Sequence, residues 1–256
     1  MENESLLETL DRQADAWNKR PLLRALYREW QEVAAARLSA IRGENVELGA
    51  GIGRFRDVAP SVRPTDVERT PWVDEVVDAE NLPFDAATLA NLVLFDVFHH
   101  LARPARFFDE ARRELAPGGR VVIVDPYCSP VSTVAYRRFH RELTDLDAAP
   151  LETDERVAAS PLASNQARAT LVFFRHVDRF RRRWPELEIV ERRRFAVFLY
   201  ALSGGYSRRP LAPAALYRPL AAVERLLAPL APLAGFRCLV VLERRAGEDE
   251  TGTRAE

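Results

Sequence analysis

Residues 89–95, Leu-Ala-Asn-Leu-Val-Leu-Phe, are nearly all apolar over a length that suits a strand. A strand apolar on both faces must be covered on both, which places it in the middle of a parallel sheet. The flanking sequence supplies its neighbours. Val46-Glu47-Leu48 reads as a short strand running into Gly49-Ala50-Gly51-Ile52-Gly53, and Arg54–Ala59 starts a helix. Val62–Asp66 is a second strand in spite of Pro64, and Glu75–Asp78 a third. Pro104–Leu115 is a helix with Phe107, Phe108, Ala111 and Leu115 on one side, stopped by Pro117-Gly118-Gly119. Arg120–Asp125 is the next strand. Strands alternating with helices make this an α/β chain: a doubly wound, Rossmann-like, mostly parallel sheet.

Around that frame the pattern is helical. Ser5 to about Ala40 carries Leu6, Leu7, Leu10 and then Leu22, Leu23, Leu26, Tyr27 and Trp30 on one stripe, with Pro21 suited to a first turn. Two helices joined near Asn18–Arg20 are expected. Beyond Pro126, Ser129–Leu146 reads as helix, Asp147–Ala169 as loop, Thr170–Trp184 as helix, Leu187–Leu202 as one strand or two, and Cys238–Glu243 as the last strand. There is no internal repeat. The domain reading is an N-terminal helical cap over 1–42, a main domain over 43–246 with lid insertions at about 127–170 and 203–237, and a disordered polar tail over 247–256.

Composition narrows the function classes. Net charge is −1, so bulk electrostatics do not favour a nucleic-acid partner. The clusters Arg181-Arg182-Arg183 and Arg192-Arg193-Arg194 read as solvated faces. No uncharged stretch approaches a membrane span, and the acidic start Met-Glu-Asn-Glu lacks the apolar core of a secretory signal. Cys128 and Cys238 are far apart and outside metal-ligand spacing, which suits a reduced, cytoplasmic protein. No His/Cys/Asp group has metal spacing in the sequence, so no metal is expected.

The glycine loop carries the first chemistry. Gly49 permits a tight turn, and Gly51 lets backbone approach a ligand without a Cβ in the way. Such a turn serves several nucleotide cofactors. A dinucleotide fingerprint would want glycine at position 54, where this chain has Arg54. Asp66 ends the second strand, where a carboxylate can accept from both hydroxyls of a ribose. Next come Asp78-Ala79-Glu80-Asn81-Leu82-Pro83-Phe84, Asp96-Val-Phe-His-His-Leu101 and Leu115-Ala-Pro-Gly-Gly-Arg120.

In order and spacing these motifs resemble the small-molecule class I S-adenosylmethionine-dependent methyltransferases, the group that includes the ubiquinone and menaquinone C-methylating enzymes. The resemblance covers Asn45–Asp125, about a third of the chain. It implies S-adenosylmethionine as cofactor and S-adenosylhomocysteine as product. It implies a cofactor-binding set of Glu47, Gly49, Ala50, Gly51, Gly53, Asp66, Val67, Asp78, Ala79, Phe95 and Asp96. Within it, Asp66 would take the ribose, Val67 one adenine face, Asp78 and the Ala79 N–H the adenine edge. Phe95 and Asp96 would lie beside the methionine ammonium and the transferring methyl. The chain departs from the pattern between Asp66 and Asp78, where Val67–Val77 is too short for the usual helix and Pro71 opposes one. A loop filled by Trp72 is expected instead.

Methyl transfer to oxygen or nitrogen needs alignment and, for a protonated acceptor, a base. Candidates are His100, His99 and His140, with His176 read as structural. His99 and His100 follow the central strand at the edge where ligands bind in open α/β folds, and one of them can equally serve to shape the loop. Tyr127, Tyr136, Asn165 and Gln166 are candidate substrate contacts, or plain loop hydrogen-bonders. The acceptor is read as a small apolar or lipid-linked molecule, methylated on oxygen. The apolar run 211–233, with Arg208 and Arg209 before it, is read as a lid, a homodimer face or a peripheral membrane contact.

Overall fold

A computed structural model describes residues 5–140 and 142–246. The expected tail over 247–256 lies outside the described residues. Helix α1 (Leu6–Lys19) starts at a reciprocal cap in which Ser5 Oγ accepts from the Glu8 N–H and the Glu8 carboxylate accepts from the Ser5 N–H. Helix α2 (Pro21–Ala35) follows after Arg20, with Pro21 in its first turn. The sheet strands then begin with β1 (Glu44–Leu48), β2 (Val62–Asp66), β3 (Glu75–Val76) and β4 (Leu89–Phe95). Helix α3 (Pro104–Glu114) leads into β5 (Leu115–Pro126), and α4 (Pro130–Phe139) leaves it. After these come the short α5 (Glu155–Ala158) and α6 (Arg168–Thr170), then α7 (Val177–Arg183) and β6 (Leu187–Phe195). The chain closes with α8 (Leu199–Ser203), α9 (Tyr217–Leu226), α10 (Ala231–Ala234) and β7 (Arg237–Arg244).

The sheet order is β3-β2-β1-β4-β5-β7-β6, parallel from β3 to β5, with β7 antiparallel to both β5 and β6. As the apolar pattern required, β4 lies in the interior. Leu92 and Leu94 point into a core with Phe107, Phe108, Phe173 and Trp184, and Val93 points to the opposite face with Phe55, Ala34 and Val122. Each buried leucine or phenylalanine contributes roughly 1.5–3 kcal/mol. The one polar residue of the strand, Asn91, is fully buried and satisfied: Nδ2 donates to the Ser39 carbonyl and Asn45 Oδ1, and Oδ1 accepts from the Ser39 N–H. This network also ties the end of the helical cap to the sheet.

Several local expectations are corrected. The helix expected from Arg54–Ala59 is one 3-10 turn, Phe55–Asp57. Only a few residues separate it from β2, and Pro60 disfavours helical backbone at Ala59. Helix α4 stops at Phe139 instead of reaching Leu146. Residues 143–145 are drawn away by pairing with the next loop: Gln166 N–H donates to the Leu143 carbonyl, and Asn165 Oδ1 accepts from the Asp145 N–H. The stretch 170–184 is interrupted at His176 by a wide turn over Leu171–Arg175. Strand β5 begins at Leu115, five residues early, with its irregularity opposite Leu89–Asn91. Leu187–Leu202 holds one strand, which ends at Phe195; Ala196 follows with φ 61° before α8.

No helix of the described residues is long and apolar enough to cross a membrane. As expected, no helix forms between Asp66 and Asp78. Trp72 packs there against the glycine loop, and a Cβ on Gly53 would sit 2.6 Å from its carbonyl.

Candidate functional site

The carboxyl ends of β1, β2, β4 and β5 meet in one edge region, and two groups of side chains occupy it. The first is the glycine loop. Gly49, Gly51 and Gly53 all adopt left-handed backbone, with φ of 65°, 55° and 62°. At Gly49 an added Cβ would lie 2.6 Å from Val97, whereas at Gly51 it would meet only Leu10 of α1, at 3.4 Å. The loop is pinned from below. Ala50 N–H donates to the Thr65 carbonyl (2.8 Å), Gly51 N–H to Asp66 Oδ2 (2.9 Å), and Gly53 N–H to the Ala50 carbonyl. Asp66 Oδ1 accepts from the Val67 N–H, so the carboxylate ties the end of β2 to the loop after β1. Beside it Val67 is 46% exposed, an apolar side chain held open next to a carboxylate.

Under the loop lies Glu47, buried at the end of β1, its Oε2 with no hydrogen-bond partner. Burial, then the nearby Asp66 carboxylate, pushes Glu47 up to about 8. Burial raises Asp66 as well, against the loop N–H groups that favour its charged form. Asp78 is exposed, its Oδ1 accepting from the Glu80 N–H, and Ala79 packs at the edge of the core.

The second group is drawn from distant segments. Asp96 follows β4 with φ 61°, and its carboxylate is engaged by the Arg237 guanidinium (Nη1, and Nη2 at 3.3 Å) and by the Tyr27 hydroxyl at 3.0 Å. Arg237, at the start of β7, is 4% exposed and lies over the rings of Trp30 and Tyr200. Tyr206 stacks edge-on against Tyr27. Burial raises Tyr27, Tyr200 and Tyr206, so all three hydroxyls stay protonated at neutral pH. Phe95 packs on Tyr27 and Phe55. The expectation that Asp96 faces a cofactor ammonium therefore meets a carboxylate already satisfied by Arg237 and Tyr27.

Next to this pair stand the histidines. His99 Nδ1 lies 2.8 Å from Asp125 Oδ1 and its Nε2 3.5 Å from Glu142 Oε2. Burial alone would pull His99 down, but the two carboxylates raise it to about 10. His100 Nδ1 donates to the Ala163 carbonyl (3.0 Å), and burial beside His99 lowers it to about 4. Glu142 Oε2 accepts from Ser164 Oγ (2.6 Å) and Gln166 Nε2. His140, expected on a helix, caps the end of α4. Its ring stands edge-on to Tyr136, with Nδ1 buried, unpartnered and 3.8 Å from Glu142 Oε1.

Among the expected substrate contacts, Gln166 is the one whose side chain hydrogen-bonds to Glu142. Tyr136 is buried and donates to the Phe236 carbonyl (2.6 Å). Asn165 braces its own loop through the Asp145 and Ala167 N–H groups, and its N–H donates to the His99 carbonyl. Tyr127 stacks on Phe174 beneath Arg194, within the core on the α3 side. Its alternation along β5 turns it to the face of Val121 and Ile123.

Sequence spacing missed Asp125, Glu142 and Arg237. Asp125 and Arg237 had a legible signal, each being a charge abutting an apolar strand. Glu142 had none: no His/Cys/Asp group has metal-ligand spacing in the sequence, and it is the fold that brings Glu142 beside His99 and His100.

Residues 46–123 match the family model described as a methyltransferase domain. No curated protein sequence matches the chain. Among solved structures, a chain of the complex containing the Haloferax volcanii Trm112 methyltransferase activator superposes with TM-score 0.51 and 18% identity, over 95% of this chain and 99% of that one. A geranyl diphosphate methyltransferase in complex with S-adenosylmethionine gives TM-score 0.51 and 15% identity, over 87% and 88%. A Haemonchus contortus phosphoethanolamine N-methyltransferase 2, in complex with phosphomonomethylethanolamine and S-adenosylhomocysteine, gives 0.51 and 13%, over 95% of this chain and 61% of that one. At these identities the likeness is one of fold.

Proposed function

Because the chain belongs, through residues 46–123, to the class I S-adenosylmethionine-dependent methyltransferase family, we propose that it transfers a methyl group from S-adenosylmethionine to an oxygen of a small, apolar or lipid-linked acceptor. The observation that carries this reading is the Gly51 N–H to Asp66 bond, which presents a left-handed glycine cradle and a ribose-competent carboxylate together. The cradle fits the cofactor: Gly51 has room where a Cβ would go, Val67 is open for a purine face, and Glu47 Oε2 lies unpartnered beneath the loop. Glu47, Gly49, Ala50, Gly51, Gly53, Asp66, Val67, Asp78 and Ala79 would hold it, with Phe95 and Asp96 at its reactive end.

When bound, S-adenosylmethionine supplies a methyl on an already activated sulfonium. The protein's share is alignment, exclusion of water and proton removal. The cap residues Tyr27 and Trp30, with Tyr200 and Tyr206, enclose the region around Asp96 and Arg237 and would seat an apolar acceptor. His140 has a buried ring nitrogen, Nδ1, without a hydrogen-bond partner and 3.8 Å from Glu142 Oε1, and we assign it the acceptor hydroxyl proton, taken at that nitrogen. The outward Leu211, Leu226 and Leu233 of the 203–237 insertion are exposed, which favours a membrane or dimer contact over a lid for that face.

The test is calorimetry with S-adenosylmethionine and S-adenosylhomocysteine, followed by mass spectrometry of extract metabolites for a gain of one methyl. Binding of neither cofactor form overturns the reading. One observation favours a second reading, cofactor binding without transfer: Asp96 is already saturated by Arg237 and Tyr27. Binding with no transfer of labelled methyl into any extract metabolite would select it.

A further inference from the structure

We infer that His99, His100 and Glu142 form a binding site for one divalent first-row transition-metal ion, a site that goes beyond the methyl-transfer reading and does not depend on it. One ligand atom from each of the three side chains lies within 4.8 Å of the other two. The outer hydrogen bonds decide which atoms those are. The Ala163 carbonyl can only accept, so His100 Nδ1 carries the hydrogen and Nε2 of the neutral ring keeps its lone pair. His99 Nδ1 is engaged by Asp125 at 2.8 Å, which turns its Nε2 toward Glu142. Ligating histidines are held in this way, the second ring nitrogen on a carboxylate or a backbone carbonyl. Here one histidine has each kind of partner.

Glu142 is fixed as well. Ser164 and Gln166 both donate to its Oε2, while Oε1 accepts no hydrogen bond among the described residues and faces His140 Nδ1 at 3.8 Å. The spacing also suits an ion better than a direct contact. His99 Nε2 and Glu142 Oε2 are 3.5 Å apart, beyond the roughly 2.7–2.9 Å of a charge-assisted hydrogen bond. Ligands about 2.0–2.1 Å from one ion stand about 3.0–3.4 Å from each other. Small side-chain shifts would complete the geometry.

Two imidazole nitrogens and one carboxylate oxygen select zinc, cobalt, nickel or ferrous iron over magnesium or calcium. Three protein ligands leave at least one coordination position open. The cluster adjoins the Asp96 and Arg237 pair through the loop after β4, so the open position faces a polar edge and would take an oxygen donor such as water.

The full chain, stripped with chelator, is titrated with Co2+ and followed by visible absorption, then with Zn2+ in competition. One equivalent per chain is expected, without thiolate charge-transfer bands. Zn2+ should raise the melting temperature and Mg2+ should not. Glu142→Gln and His100→Ala should each weaken binding at least about tenfold, and Asp125→Asn, which removes a positioning contact, by about 10–100-fold. His176→Ala should leave it unchanged. No stoichiometric uptake by the wild-type chain, thiolate bands that place the ion on Cys128 or Cys238, an equal response to Mg2+, or undiminished affinity in a folded Glu142→Gln would overturn the site. The wild-type spectrum decides alone if the variants do not fold. No S-adenosylmethionine enters the titration, so failure of the methyl-transfer reading leaves its outcome intact.

Discussion

The glycine loop and the histidine cluster share one edge of the sheet but are assembled in opposite ways. The loop and its carboxylate come from a short run, Glu47–Asp66, and are braced by main-chain bonds such as Ala50 to Thr65. The histidine cluster joins β4, β5, the end of α4 and the loop at 163–166 through side chains, and the adjoining Asp96 recruits Tyr27 and Arg237 from the two ends of the chain. A site built on backbone tolerates change around it, because the hydrogen bonds that shape it belong to every residue type. A site built on side chains rests on each partner being present, and its buried charges make the loss of one partner expensive.

That contrast is sharpest at Arg237. Arg237→Leu leaves the partly buried Asp96 carboxylate with the Tyr27 hydroxyl and without its counter-charge, and should cost about 3 kcal/mol of stability by chemical denaturation. A loss below about 1 kcal/mol would show that the pair is dispensable and that the two regions are alike. Within the same region, His140→Gln should lower kcat by about a hundredfold while cofactor affinity by calorimetry stays within a factor of two. Parallel loss of both would move His140 from proton transfer to cofactor binding.

On the loop side the expected effects are smaller and fall on different measurements. Glu47 is held near 8 in the folded protein against an ordinary value of 4.5, so folding favours its neutral form. Its contribution to stability is whole below about pH 4.5 and is lost as pH rises toward about 8. Glu47→Gln should therefore gain on the order of 2 kcal/mol at pH 7 and flatten the decline between pH 5 and 8, read from melting curves at several pH values. A steeper decline in the variant would contradict the assigned environment. Asp66→Asn keeps the shape of the side chain but loses the charge that Gly51 and Val67 N–H groups meet, and should weaken S-adenosylmethionine about tenfold by calorimetry. Unchanged affinity would detach Asp66 from the cofactor.

The same difference explains how much of the fold and of the site is legible in the sequence. The glycine loop, Asp66 and the two-faced strand Leu89–Phe95 depend on local backbone rules, and each stands where the pattern put it. The helix expected at Arg54–Ala59 shrank to one turn because Pro60 and a short link to β2 overrode helical propensity. Tyr127 seemed to face the edge region by its position after β5, yet the alternation of the strand turned it into the core beside Phe174. Asn165 was legible as a loop residue but its role, bracing the chain behind His99, depends on the segment 143–145 leaving α4 early.

What the sequence determined by itself is the sheet and the loop at its edge. Periods of two and near four in apolar residues, and glycines where φ must be positive, are written into consecutive positions. Only the tertiary structure decided that Glu142 stands against His99 and His100, that Arg237 closes on Asp96, and that Tyr27 of the cap covers them both. Those contacts join residues far apart in the chain. Their geometry follows from how helices and loops pack over the sheet, which no local spacing encodes.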